Sequence, residues 1–160
     1  TRALTDTAGL RAYFEDQRDA YMWKERSEAI IVTSREGSNL EKLRKKYKKI
    51  LSGSWNETLL NERFCTSDSL PCIRLAPVLT EAGIYPRVDE LNGVPGPGPV
   101  YYNNNSSGFV IIKQVRPPEP KQLDEARGQV VSDYQTYLEE QWIRELRDKY
   151  PVRVNRELLR

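Results

Sequence analysis

Three observations predict an α+β fold for these 160 residues. Short runs rich in β-branched and aromatic residues, at 26–33 and 108–115, read as strands. The stretches between and beyond them repeat apolar residues every three or four positions, as amphipathic helices do, and clusters of Pro, Gly and Asn separate the two kinds. The architecture expected is an antiparallel sheet covered by helices, with a leading helix and a long C-terminal helix, divided as 1–24, 25–118 and 119–160.

Thr5 and Asp6 offer N-cap oxygens ahead of Leu10, Tyr13, Phe14 and Tyr21, a stripe that predicts a leading helix of about four turns. Residues 26–33 end at Ser34-Arg35-Glu36-Gly37 and form a first strand. A helix is expected over 39–53, capped by Ser38-Asn39 and stopped by Gly53, with Leu40, Leu43, Tyr47, Ile50 and Leu51 as its buried stripe. Ser54 with Glu57 three residues later predicts a capping box opening a second helix to Phe64, its apolar side made of Trp55, Leu59, Leu60 and Phe64.

Residues 72–79 alternate around Ile73, Leu75 and Val78, and Pro77 has no amide to donate, so this run suits a sheet edge. Residues 85–91 read as a helical turn and Gly93-Val-Pro-Gly-Pro-Gly-Pro99 as a loop without regular structure. Residues 100–102 and 108–115 form a hairpin whose turn is Asn103-Asn-Asn-Ser-Ser107, and Pro117, Pro118 and Pro120 close the sheet. Leu123, Ala126, Val130, Tyr134, Tyr137, Leu138, Trp142 and Leu146 keep helical spacing up to Tyr150-Pro151, and Val152-Arg-Val154 alternates like a short terminal strand.

Composition limits the chemistry. There is no histidine, so the usual general base, proton shuttle and commonest metal ligand are missing, and catalysis would have to run on carboxylates, lysines or cysteines. Charges nearly balance, 25 basic against 23 acidic for a net +2, which argues against a nucleic-acid-binding domain. The basic run Lys42, Arg44, Lys45, Lys46, Lys48 and Lys49 occupies the solvent-facing positions of its helix, without an aromatic platform to stack bases. No apolar run approaches the roughly 20 residues of a membrane span, so no membrane insertion is expected. The chain opens on a polar segment, which places any secretory signal outside it.

Cys65 and Cys72 stand seven positions apart around turn-forming residues. They lack the partners for a tetrahedral metal site and the spacing of a redox centre, so no metal or cofactor is expected; a small-loop disulfide and two semi-buried thiols both remain open.

Strand, basic helix ending in glycine, second helix, variable middle and a hairpin closing on Gly-aromatic-x-Ile-Ile-Lys together resemble a parvulin-type peptidyl-prolyl isomerase domain, over residues 26–115. Active parvulins place a histidine before the first strand's aliphatic run and another in Gly-aromatic-His-Ile-Ile-Lys. Here the same positions read Ala29-Ile30-Ile31-Val32 and Gly108-Phe109-Val110-Ile111-Ile112-Lys113, so Ala29 and Val110 stand in the histidine places. Phe64-Cys65-Thr66-Ser67-Asp68 is similar to the family's aromatic-Ser-x-Asp, while its Gly-Gly-Asp-Leu-Gly-like middle segment has no counterpart. The flanks, Gly9-Leu10-Arg-Ala-Tyr-Phe-Glu and Leu123-Asp-Glu-Ala-Arg-Gly-Gln-Val, resemble those of SurA-type chaperones.

That resemblance implies a periplasmic folding chaperone acting on outer-membrane polypeptides, with this domain catalytically degenerate and used for polypeptide binding or for packing on neighbouring domains of the same chain. A weakly active isomerase using Cys65 and an oligomerisation module built on the C-terminal helix are the alternatives. If the family register holds, Ala29, Ile31 and Thr33 on one strand and Val110, Ile112 and Gln114 on the other line the former cleft, with Tyr85, Tyr101, Tyr102 and Phe109 able to contact extended peptide or simply to cover the sheet. The plain reading of Ala29 and Val110 is core filling; the functional one is an apolar peptide groove.

Overall fold

The computed structural model describes residues 2–37, 39–68, 70–104 and 106–154. It is an α+β protein. Its chain divides into two compact units, a sheet unit of residues 23–119 and a helical unit of residues 1–22 and 120–160.

The sheet unit is built on four antiparallel strands, β1 (Arg26–Ser34), β2 (Ile73–Glu81), β3 (Gly96–Pro97) and β4 (Ser107–Arg116), in the order β2-β1-β4-β3. β1 and β4 lie in the middle, and their alternation sends side chains to two faces. Val32, Phe109 and Ile111 enter one core with Leu40, Leu43, Ile50, Trp55 and Leu60 from the helices that follow β1. Ala29, Val110 and Ile112 enter a second, smaller core with Val88.

Several local expectations are corrected by hydrogen bonding. The basic stretch is two helices, Leu40–Lys45 and Tyr47–Leu51, because Lys46 N–H bonds to Leu43 O and Lys49 N–H to Lys46 O, three residues back, which tightens the turn between them. Ser38 of its expected cap lies outside the described residues. The next helix, Glu57–Phe64, is capped by Asn56, whose Oδ1 accepts from Leu59 N–H at 2.9 Å, and not by Ser54; Trp55 N–H is drawn back to Lys49 O. Glu57 serves the sheet instead, accepting from Leu75 N–H at 2.9 Å.

β2 is an edge strand, and its outer side is covered. Asn61 Oδ1 accepts from Cys72 and Ile73 N–H at 2.8 and 2.9 Å while its amide donates to Ile73 O at 2.8 Å. Glu57 takes the Leu75 amide and Pro77 has none to offer. A side chain, a carboxylate and an imino acid thus replace a neighbouring strand along most of this edge.

The loop expected at 93–99 contains β3, whose Gly96 and Pro97 pair with Ile112 and Ile111. Gly98 N–H still bonds to Val110 O at 2.7 Å, but Pro95 and Pro99 lack the amides needed to lengthen the strand further. Residues 100–102 form a single bridge, Tyr101 to Gly108, in place of a strand. Gly108 is required there: a Cβ would collide with the Val32 carbonyl oxygen and lie 2.8 Å from the Tyr101 hydroxyl. Asn105 of the expected turn lies outside the described residues.

In the helical unit, α1 (Thr7–Asp16) packs Leu10 and Phe14 against Ala126, Val130 and Tyr134 of α2 (Leu123–Lys149). Asp6 caps α1, accepting from Gly9 N–H at 2.9 Å, and Tyr134 donates its hydroxyl to the same carboxylate at 2.8 Å. Tyr21 lies beyond α1, yet it is buried and donates to Asp133 at 2.8 Å. Residues 151–154 carry no strand, correcting the terminal expectation; Pro151 can donate no ladder bond there.

Candidate functional site

The two positions where the resemblance expects histidine lie on adjacent paired strands. Ala29 pairs with Ile112 and Ile31 with Val110, so Ala29 and Val110 are diagonal neighbours on one face of the sheet. Their surroundings are apolar: Val88 and Ile112 are buried with them, and Ile31, Val78 and Leu91 pack around the cluster. Ala29 is 2% exposed and Val110 3%. The side chains packed directly around Ala29 and Val110 are aliphatic, so neither histidine position now carries a group that can take up or release a proton.

Gln114 leaves that face. Between Ile112, opposite Ala29, and Gln114, opposite Glu28, the last strand carries one extra residue, Lys113, and this bulge reverses the alternation beyond it. Gln114 Nε2 donates to Glu28 at 2.7 Å, and Lys113 and Arg116 approach the same carboxylate at 3.2 and 3.3 Å. The Gln114 hydrogen bond first, with Lys113 and Arg116 together outweighing the opposing effect of burial, holds the Glu28 carboxyl below its ordinary range.

A cavity of about 100 Å³ opens beside Val110, between Leu91, Gly98, Val100 and Tyr101, with the Arg87 guanidinium 4.2 Å from the centre of the Tyr101 ring. Tyr101 and Val110 are therefore brought together. Ala29 lies instead beside a separate hollow of about 320 Å³, with Pro77, Val78, Leu79, Lys113 and Arg116. Ile112 is wholly buried, and Tyr85, 39% exposed, precedes the short helix Pro86–Asp89 outside the cluster. The sequence reading missed Val88, Leu91 and Arg87. Pro86 at a helix start with apolar residues at 88 and 91 was the available signal, since a three-residue spacing turns both to one side.

Cys65 and Cys72 are joined in a disulfide with their Cα atoms 5.8 Å apart, and no free cysteine stands among the described residues. Cys65 then offers no thiolate for nucleophilic attack. Among the described residues no cluster of acids or cysteines could hold a metal ion, and no helix is long and apolar enough to cross a membrane.

No family model matches the chain. No curated protein matches it either. Among solved structures, it is similar to one reported with the virulence factor PEB4 and the periplasmic protein Cj1289 as two structurally related SurA-like chaperones of Campylobacter jejuni, at 13% identity and a TM-score of 0.39. The likeness covers 94% of this chain and 64% of that one, so the chain spans less than two thirds of the length of the protein it matches. Values of this size do not identify a family.

Proposed function

We propose that the sheet unit is a catalytically degenerate parvulin-like module of a periplasmic SurA-type folding chaperone, retained for contact with unfolded or extended polypeptide. One observation carries the reading. Ala29 and Val110, which stand where the family's two strand motifs keep histidine, are diagonal cross-strand neighbours buried in an aliphatic cluster with Val88 and Ile112. Prolyl isomerisation must lower an amide rotation barrier of about 18–20 kcal/mol, and polar groups arranged around the twisting bond are the means. An aliphatic, buried cluster supplies none.

A protease-coupled assay with a proline-containing peptide tests this. The expected result is isomerisation at the uncatalysed rate, together with suppression of aggregation by an unfolded outer-membrane polypeptide. Turnover well above background would return the site to the enzymes, and it would have to do so without the Cys65 thiol, which the disulfide removes.

A second reading, self-association through α2, is favoured by the exposure of Trp142 and Ile143 on its C-terminal half. Light scattering decides it: a dimer mass lost in Trp142→Glu supports the reading, and a monomer mass in both proteins removes it.

A further inference from the structure

A concavity larger than the hollows beside Val110 and Ala29 lies away from the former cleft. Within the helical unit an open trough of about 500 Å³ runs between α1 and α2, lined by Gly9, Ala12 and Tyr13 on one side and by the buried Tyr134 and the exposed Tyr137 on the other. The three rings support one another, Tyr13 standing 5.4 Å from Tyr134 and 5.3 Å from Tyr137 between centroids, with Tyr134 and Tyr137 stacked at 6.2 Å. Depth depends on glycine at position 9, because a Cβ there would collide with the Tyr134 hydroxyl and the Asp6 carboxylate.

One end of the trough is acidic. Asp16 lies in its lining, accepts a hydrogen bond from Gln17 Nε2 at 2.7 Å and has no cationic partner among the described residues. The last turn of α1 contains Glu15 and Asp16 and no base, at the negative end of the helix dipole. Glu15 is met by Arg18 at 3.5 Å, which leaves Asp16 as the unneutralised charge.

The exposed Tyr137 ring, backed by Tyr13 and Tyr134, suits groups that present their own apolar faces, and proline does so on a backbone already extended before it binds. The carboxylate selects the sign of the neighbouring charge, and the tyrosine faces attract a cation as well. A phosphate-bearing ligand meets repulsion at the same place. We propose that this trough binds an extended, proline-containing polypeptide segment whose arginine or lysine meets Asp16. The proposal rests on the polypeptide-binding reading above but moves the contact from the sheet unit to the helical one.

The test is fluorescence anisotropy of a labelled peptide of about ten residues containing Pro-Pro-Leu-Pro-Arg, titrated with the full chain, beside a twin carrying Glu for Arg. The arginine peptide binds and the glutamate twin binds several-fold more weakly; Tyr137→Ala, at a half-exposed ring, lowers affinity by about tenfold. Asp16→Lys inverts the order of the two peptides, a readout that a merely less stable protein does not produce. Equal affinity for the twins, an unchanged affinity in Tyr137→Ala, or no binding at millimolar concentration overturns the trough. If the native chain still suppresses aggregation of an unfolded polypeptide in that case, the broader reading stands and only its location is wrong; if it does not, both fall.

Discussion

In the sheet unit apolar side chains pack on both faces of the sheet, whereas in the helical unit full burial along α2 ends at Tyr134 and partial packing at Leu138, although the helix continues to Lys149. The sheet's central strand β4 is buried from Ser107 through Ile112 without a break. Beyond Tyr134, α2 carries Tyr137, Trp142 and Ile143 exposed. The difference separates two uses of apolar surface. Where aliphatic side chains pack into the two cores of the sheet, apolar surface contributes stability; where a ring such as Tyr137 remains open beside a carboxylate, it is available to a ligand.

The contrast is broken most severely at Phe109, which is fully buried between the sheet and the helices above it. Phe109→Ala is expected to cost about 3–5 kcal/mol, enough to unfold much of the sheet unit. Urea denaturation followed by circular dichroism reads the loss; a cost below about 1 kcal/mol would mean that this core is not the packed one described. Next in size is the cross-link. Replacing Cys65 and Cys72 by serine frees an eight-residue loop, counted from Cys65 to Cys72, and should lower stability by about 2 kcal/mol. Midpoints in the presence and absence of a reductant check it, since the native chain under reduction should reproduce the double variant.

How much of this could be read from the sequence differs between the same regions. The strands, expected over 26–33 and 108–115 and found over 26–34 and 107–116, were legible because short runs rich in β-branched residues are bounded there by turn formers, and Pro77 marked an edge because an imino acid cannot sit in a central ladder. That Ala29 and Val110 would lie near one another followed from a family resemblance, not from periodicity; the pairing of Ala29 with Ile112 is seen only in the structure. The bulge at Lys113 left no local signal, so Gln114 was assigned to the wrong face. Ser54 and Asn56 are both good caps; the choice fell to Asn56 because Glu57 was committed to Leu75, a contact that spans 18 positions and has no local trace. The stripe on the last helix was visible, but not where its partner would stop covering it, because that is set by the length of α1.

Acid sharpens the comparison from the other side. Its hydrogen bond from Gly9 N–H, and then that from Tyr134, hold the Asp6 carboxyl below the ordinary aspartate range, with burial opposing weakly. A carboxyl depressed in the folded state contributes stability that is present above its unfolded pKa and is lost as pH falls through the folded one. Thermal midpoints of the helical unit should therefore decline on acidification below the usual aspartate range. In Asp6→Asn, which keeps a good cap but removes the charge, the decline should be shallower. Parallel slopes in the two proteins would remove Asp6 from the account. The hydroxyls of Tyr21 and Tyr134 shift the opposite way, Tyr21 chiefly through desolvation and Tyr134 chiefly through its bond to Asp6. Their contribution is complete below the unfolded tyrosine pKa and disappears as pH rises past the folded values, so this unit has an alkaline limit as well.

The smallest effect is expected at the largest exposed side chain. Trp142 is 61% exposed, lies two turns past the last buried residue of α2, and belongs to no core cluster. Were the exposed half of α2 simply an extension of the core, Trp142→Ser would cost several kcal/mol, as loss of a buried tryptophan does. If it is surface, the change should stay within about 0.5 kcal/mol, the range of ordinary surface substitutions. Denaturation at low micromolar concentration separates the two without interference from self-association. A near-zero cost there, beside a large one for Phe109→Ala, would show that tryptophan on this helix is retained for something other than the stability of its own chain.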